Sequence, residues 1–246
     1  EQLEKRLQEL LPLKQIKKDK YQGVEPSPDQ QRNIFNLHAQ RKTKLALREA
    51  RLLLDKFPRS LSLHNAIASF YRSLREPEKA LETYKKLLEI DPNFAEGYSN
   101  MGNTLRDLGR IDDAIQAYSS SISIKQSYAP AHYNMGIALQ ESDQLQGALR
   151  AFNKAVFINP DYFEALNCVG SLLQQLGKLN EAIVAFERVL LIKPDFTEAL
   201  NNMGTALQDQ GKPEEAMVSF NKAISITPNF VDAWCNGAVV LEKCNK

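Results

Sequence analysis

Cysteine is scarce: Cys168, Cys235 and Cys244 are the three present, an odd number with no Cys-x-x-Cys pair. That excludes a disulfide framework and fits a reducing, cytoplasmic setting. Each thiol reads as a small apolar filler. Histidine is as rare, and His38, His64 and His132 have no Cys or carboxylate at ligand spacing, so no metal site is expected. No phosphate loop, dinucleotide fingerprint or nucleophile elbow occurs, so neither a cofactor nor a catalytic centre is expected. No apolar run reaches the roughly 18 residues of a membrane span, and no signal-peptide pattern stands at residue 1. The first residue is Glu1 rather than Met, which reads as a piece of something longer.

Net charge is also missing, at +1 over 246 residues, which argues against a general polyanion binder. The balance is uneven, however. Residues 1–60 hold 14 Lys+Arg and 8 Asp+Glu, and the remainder holds 17 and 22. A basic beginning on an acidic body can orient a partner or a second copy, or can be a set of solvated helix faces.

What is present is a period. Prolines stand at 58, 92, 160, 194 and 228, in steps of 34 with one beat missed at Gln126. Setting this proline at position 32 gives the units 27–60, 61–94, 95–128, 129–162, 163–196 and 197–230, with 231–246 left over. In that frame position 8 is small (Ala68, Gly102, Gly136, Gly170, Gly204, Ala238) and position 20 is always Ala, from Ala46 to Ala216. Position 24 is aromatic in five units: Tyr84, Tyr118, Phe152, Phe186 and Phe220. With these marks the chain resembles the tetratricopeptide repeat family over about residues 27–246.

The resemblance implies an all-α fold, a right-handed superhelical solenoid of antiparallel helical hairpins. Helix A would span about positions 1–14 and line the concave face; helix B would span about positions 17–30 on the convex face. Each mark has a physical reason. Small residues at 8 and 20 let the backbones approach, and the aromatic at 24 fills the space between one hairpin and the next. Gly109, Gly177 and Gly211 at position 15 supply a left-handed turn after helix A. The proline at 32 stops helix B, while Pro77 and Pro213 sit in its first turn, where a missing N–H costs nothing.

Some stretches depart from the pattern. Asp143 takes the turn position, Gly147 enters helix B, Gln126 replaces the closing proline, and Ser119–Ser121 weaken the helix before it. The joint between 95–128 and 129–162 is therefore expected to be the softest. Unit 27–60 has Asn33 and Ile34 at positions 7 and 8 and Ala50 at the aromatic site, and reads as a divergent cap. Residues 1–26 are expected to be an amphipathic helix (Leu3, Leu7, Leu10, Leu11) followed by a Gly/Pro-containing linker over 21–28. The tail 231–246 is either a closing cap or a helix A cut from a longer array. Both terminal helices are candidates for self-association.

Helix A positions 2, 5, 6, 9, 12 and 13 are expected to face a ligand, and they are rich in carboxamides. The candidate groove residues are Asn65, Asn100, Asn103, Asn134, Asn167, Asn201, Asn202 and Asn236, with Gln140, Gln174 and Gln208. An Asn offers one acceptor and two donors, enough to pair with an extended backbone regardless of its side chains. The run resembles the asparagine ladder of the O-linked N-acetylglucosamine transferase superhelix, with Cys168 as a break. The competing reading assigns these amides to bonds between repeats. Arg72 and Arg106, at position 12 of adjacent units, could hold an acidic or terminal carboxylate. No Lys stands at positions 2 or 5, which disfavours the carboxylate clamp of the family's chaperone-tail binders. A nucleic acid is not expected, because the groove lacks basic residues interleaved with aromatics. The partner expected is a protein or peptide, and the role a scaffold rather than an enzyme. The alternative is the N-terminal recognition domain of a larger glycosyltransferase or sulfotransferase.

Overall fold

A computed structural model describes residues 25–244. The expected N-terminal helix, and the part of the linker before residue 25, lie outside them. Among the described residues the fold is an all-α helical repeat of thirteen helices without strands. In order these are α1 (Pro28–Ala39), α2 (Thr43–Leu54), α3 (Leu61–Ser73), α4 (Pro77–Ile90), α5 (Ala95–Asp107), α6 (Ile111–Ile124), α7 (Ala129–Glu141), α8 (Leu145–Ile158), α9 (Phe163–Gln175), α10 (Leu179–Ile192), α11 (Thr197–Asp209), α12 (Pro213–Ile226) and α13 (Val231–Cys244). Two compact units divide them, one ending at Gln126 and the other beginning at Ser127.

Within each unit odd-numbered helices play the part of helix A and even-numbered ones helix B. The reason they pair is visible at position 8. A Cβ placed on Gly102 would lie 2.5 Å from the Tyr118 ring, and one on Gly170 would lie 2.5 Å from Phe186. Gly136 with Phe152 and Gly204 with Phe220 repeat the arrangement. The aromatic at 24 thus lies over the position-8 glycine of its own hairpin. This corrects the expectation that the ring chiefly fills the space between hairpins. Tyr84, Tyr118, Phe152, Phe186 and Phe220 are all essentially inaccessible. The divergent first hairpin exchanges the sizes: Ile34 occupies position 8 and Ala50 position 24, both buried in one cluster with Phe70 and Tyr84. Large and small trade places, and the volume is conserved.

The turn after helix A is left-handed in every hairpin. Gly109, Gly177 and Gly211 have φ of 73°, 74° and 80°, and Arg41, Arg75 and Asp143 have 61°, 61° and 60°. Helix B ends alike in five of the six hairpins, whereas in the first Asp55 after α2 keeps a helical conformation. Asp91, Asn159, Lys193 and Thr227 leave the helix in an extended conformation, and Lys125 does the same before Gln126. The closing proline is therefore not required for that stop. In α6 the serines back-bond to the turn before them, Ser119 to the Ile115 carbonyl at 2.9 Å and Ser120 to Gln116 at 3.1 Å. Such bonds slightly weaken a helix. Ser121 instead uses its buried hydroxyl across the hairpin, donating to the Ala95 carbonyl at 2.7 Å.

Residues 25–27 are not a passive linker. Ser27 and Gln30 form a reciprocal capping box on α1. The Glu25 carboxylate accepts from the hydroxyls of Ser60 and Ser62 and from the Leu61 N–H at 2.9 Å, and so caps the start of α3. Burial pushes this carboxyl up, but the bonds from Ser60, Ser62 and Leu61 outweigh it and leave it below its ordinary range. At the other end α13 exposes Val231, Trp234 and Leu241.

Candidate functional site

Each unit repeats one pattern of contacts along its helix A face. Because each hairpin repeats the last with a shift of 34 residues, position 5 of one helix A meets position 6 of the next, 35 residues on. In the first unit Asn100 Nδ2 donates to Asn65 Oδ1 at 2.9 Å, and Asn65 Nδ2 donates to Glu96 Oε1 at 2.8 Å. In the second unit Asn236 Nδ2 donates to Asn201 Oδ1 at 2.9 Å. Asn202 Nδ2 approaches both Asn167 Oδ1 at 3.3 Å and Ser171 Oγ at 3.4 Å. Most of these amides are half-buried, and Asn201 is buried. The carboxamides thus form rungs between repeats, which is the structural half of the two readings open at the sequence level. A bonded rung does not exhaust an amide, since each Asn keeps a further N–H and acceptor capacity.

Cys168 interrupts the carboxamides but keeps a contact between repeats. It stands at position 6, and its thiol is hydrogen-bonded by Tyr133 at position 5 of the preceding helix A. A Tyr–Cys rung therefore replaces an Asn–Asn rung. Burial pushes the Cys168 thiol up to about 11 and the Tyr133 hydroxyl up to about 12. Neither ionises near neutral pH, so the pair is a neutral contact rather than a nucleophile. Tyr133 also packs against Phe152 and Tyr162, with ring centroids 5.7 and 5.0 Å away.

A second series runs along positions 12 and 13. Arg72 Nε meets Asp107 Oδ2 at 2.7 Å, and Gln174 Nε2 meets Asp209 Oδ2 at 2.8 Å. Arg72 thus shares its guanidinium with the next repeat, and its Nη donors are left over from that contact. Asn103 is also in structural use, since Tyr118 donates its hydroxyl to Asn103 Oδ1 at 2.7 Å. Asn134 on α7 and Gln208 on α11 are half-buried, and Gln140 is exposed. His38 bonds Thr43 Oγ1 at 3.1 Å and stacks on Phe70, while His64 bonds the Ser60 carbonyl at 2.8 Å. Among the described residues no group of three His, Cys, Asp or Glu side chains is arranged to hold a metal, and no helix is long and apolar enough to cross a membrane.

Sequence reasoning named the carboxamides and missed their mates. Glu96, Asp107 and Asp209 each complete a rung, and Tyr133 substitutes for one. For Asp107 and Asp209 the signal was available in the period, since each stands 35 residues from its mate; Glu96, 31 residues from Asn65, falls outside that separation.

Comparisons with known proteins agree with the architecture. Family models described as "TPR repeat" match residues 102–143 and 170–211. Others described as "Tetratricopeptide repeat" match 61–94, 83–116, 129–162 and 197–230. No curated protein matches the chain. Among solved structures, MamA is 31% identical with a TM-score of 0.61, over 65% of this chain and 94% of its own. YrrB, whose structure is described as that of a TPR protein with an unusual peptide-binding site, is 25% identical with a TM-score of 0.61, over 75% of this chain and 95% of its own. PilF of Pseudomonas aeruginosa is 17% identical with a TM-score of 0.74, over 85% and 96%, a likeness of fold alone.

Proposed function

The chain belongs to the tetratricopeptide repeat family, and from that premise we propose that it is a protein-interaction scaffold whose helix A face holds an extended polypeptide. The observation that carries the reading is the set of rungs. The position-6 amides Asn100, Asn202 and Asn236 are each oriented by an amide of the preceding helix A, so their remaining polar capacity points in a fixed direction. Side chains fixed before binding lose little entropy on binding. A column of such amides at repeat spacing suits a backbone that presents N–H and C=O groups at regular intervals, and the partner's side chains matter little. The description of YrrB as carrying a peptide-binding site supports the same reading. The role is binding rather than catalysis, in the cytoplasm.

The test begins with peptide display on the wild-type protein. Affinities of the selected peptides are then measured with Asn100, Asn134, Asn202 and Asn236 changed together to Ala. Affinity should fall at least about tenfold, or ~1.4 kcal/mol, with helicity retained. Substituting the acceptors Asn65 and Asn201 instead loosens two rungs while keeping the position-6 amides, and should cost less. Equal affinity for wild type and the fourfold variant would assign the carboxamides to repeat packing alone.

The likeness of the Asn run to the ladder of the O-linked N-acetylglucosamine transferase superhelix supports a second reading, a recognition domain serving a glycosyltransferase or sulfotransferase. The parent reading frame decides it: an α/β catalytic region there supports it, and a frame without one removes it.

A further inference from the structure

One helix A departs from the others along its groove-facing side. On α3, α5, α9 and α11, positions 2, 5 and 9 are Ser, Thr, Asn or Glu without exception, as in Glu198, Asn201 and Thr205 of α11. On α7 the same positions are Pro130, Tyr133 and Ile137. The divergent α1 keeps Gln31 at position 5, and α13 keeps Asp232 at position 2. Position 6 of the helix after α7 changes as well: Cys168 on α9 stands where α5, α7, α11 and α13 have Asn. Four register positions thus turn apolar together at one step of the groove, between α7 and α9. Both helices belong to the second unit.

Hairpin packing does not call for these side chains, since α3, α5, α9 and α11 pack with polar residues at the same positions. Nor are they core. Pro130, Tyr133, Ile137 and Cys168 are each half-buried, so apolar surface stays accessible in a face that is otherwise polar. The Tyr133 ring is backed by the inaccessible Phe152 and lies 5.0 Å from the ring of Tyr162, which is itself half-buried. Tyr133 donates its hydroxyl to the Cys168 sulfur, so an apolar occupant leaves no phenol donor unpaired. Glu164 borders the step, and its charge adds to the burial that raises Tyr133, Tyr162 and Cys168. A carboxylate of a partner is disfavoured beside it. The step is also short. Pro130 and Ile137 stand seven positions apart, about 10 Å along α7, room for one large side chain rather than an apolar run.

We propose that the α7–α9 step is the specificity subsite of the groove and takes one aromatic side chain of the bound polypeptide. The subsite rests on the reading of the helix A face as a groove for an extended backbone, and it gives that groove a means of choosing partners. Continuity sets the occupant. The amide rungs resume at the next step, Asn202 on Asn167, and Asn134 stands at position 6 of α7 itself. A backbone held by these amides carries a side chain over the step between them. An Asn–Asn rung pairs with the backbone of any sequence, whereas a ring and a thiol offer contact to a side chain instead. The rings of Tyr133 and Tyr162 favour an aromatic one, because aromatic pairs gain more than the area they bury.

The probe is a fluorescein-labelled Ser/Thr peptide of about nine residues, about 30 Å when extended, with Phe at its centre; companion peptides carry Ala or Leu there. Anisotropy on the full chain should show the Phe peptide binding at least about tenfold more tightly than the Ala peptide. Tyr133→Asn combined with Cys168→Asn places an Asn pair 35 residues apart, as Asn65 and Asn100 are, and should erase that preference while the Ala peptide keeps its affinity. Ile137→Ser copies Ser171 at the same position of α9; it should reduce the preference severalfold, and it decides the matter if the double variant does not fold. Asn202→Ala should weaken the Phe and Ala peptides alike, and each variant should keep wild-type far-UV circular dichroism. Equal binding of the Phe and Ala peptides, both weakened by Asn202→Ala, would overturn the subsite and leave the groove standing. A Phe preference that survives the substitutions at Tyr133, Cys168 and Ile137 would overturn it too, by seating the ring elsewhere, and tighter binding of the Leu peptide would overturn the aromatic occupant. Absence of saturable binding by any of the peptides below about 1 mM would overturn the groove and the subsite with it.

Discussion

A side chain at φ near +60° carries its Cβ toward the following carbonyl oxygen, at a cost of about 1–2 kcal/mol. Position 15 takes that conformation in all six turns, yet only Gly109, Gly177 and Gly211 take it without the penalty. Arg41, Arg75 and Asp143 are held there by the two helices of the hairpin on either side. Arg75→Gly should therefore stabilise the protein by about 0.5–1 kcal/mol, after the extra freedom of Gly in the unfolded chain is counted. Asp143→Gly should gain less, because Asp tolerates this region better than Arg does. Thermal midpoints measured beside wild type check the order, Arg75→Gly above Asp143→Gly above wild type. A lower midpoint for Arg75→Gly would mean that the Arg side chain contributes more than its backbone costs. The hairpin thus fixes the conformation, and the residue identity only adjusts the cost.

At the level of the helix, the N-cap of α3 is Ser60, whose hydroxyl accepts from the Leu63 N–H at 3.1 Å, and a residue 36 positions before its first turn adds to it. Glu25 supplies charge and acceptors at the N-terminus of α3, where both are favourable. Its carboxyl lies below the ordinary range in the folded protein, so the sign is fixed: the contribution is present above the unfolded pKa and is lost as pH falls through the folded one. Glu25→Gln should lower stability at pH 7 by about 0.5–1 kcal/mol, less any screening of this exposed site. That gap should close as the pH is lowered toward 3. Parallel melts of both proteins across that range check it, and a gap that persists undiminished at low pH would remove the carboxylate from the cap. This contact also shows where legibility ended. The period made helices, small sites and aromatic sites readable, because each is a local demand repeated every 34 residues. Glu25 stands outside the register, in a stretch whose Gly and Pro content read as a linker. Arg41 and Arg75 gave no compositional sign of a left-handed turn. The carboxamides were legible as a column; Asp107 and Asp209 were legible only to a search for polar pairs 35 residues apart, and Glu96, 31 residues from Asn65, was not, since a rung joins two different positions of adjacent repeats.

Over the whole chain, stability in a repeat protein is approximately a sum of hairpin terms and nearest-neighbour terms. Each of the two compact units has its own buried cluster, one around Phe70 and Tyr84 and the other around Leu200 and Phe220. Damage to one hairpin should therefore register in that hairpin and its neighbours before it registers elsewhere. Gly204→Ala provides such damage, because the added Cβ would meet the Phe220 ring at 2.6 Å. Overpacking of this kind costs about 1–3 kcal/mol. Hydrogen exchange read by mass spectrometry should show amides of α11 and α12 losing about ten- to a hundredfold protection, since ~1.4 kcal/mol is a factor of ten. Amides of α3 and α4 should keep theirs. A uniform loss through both units would instead mean that the chain opens as one cooperative body.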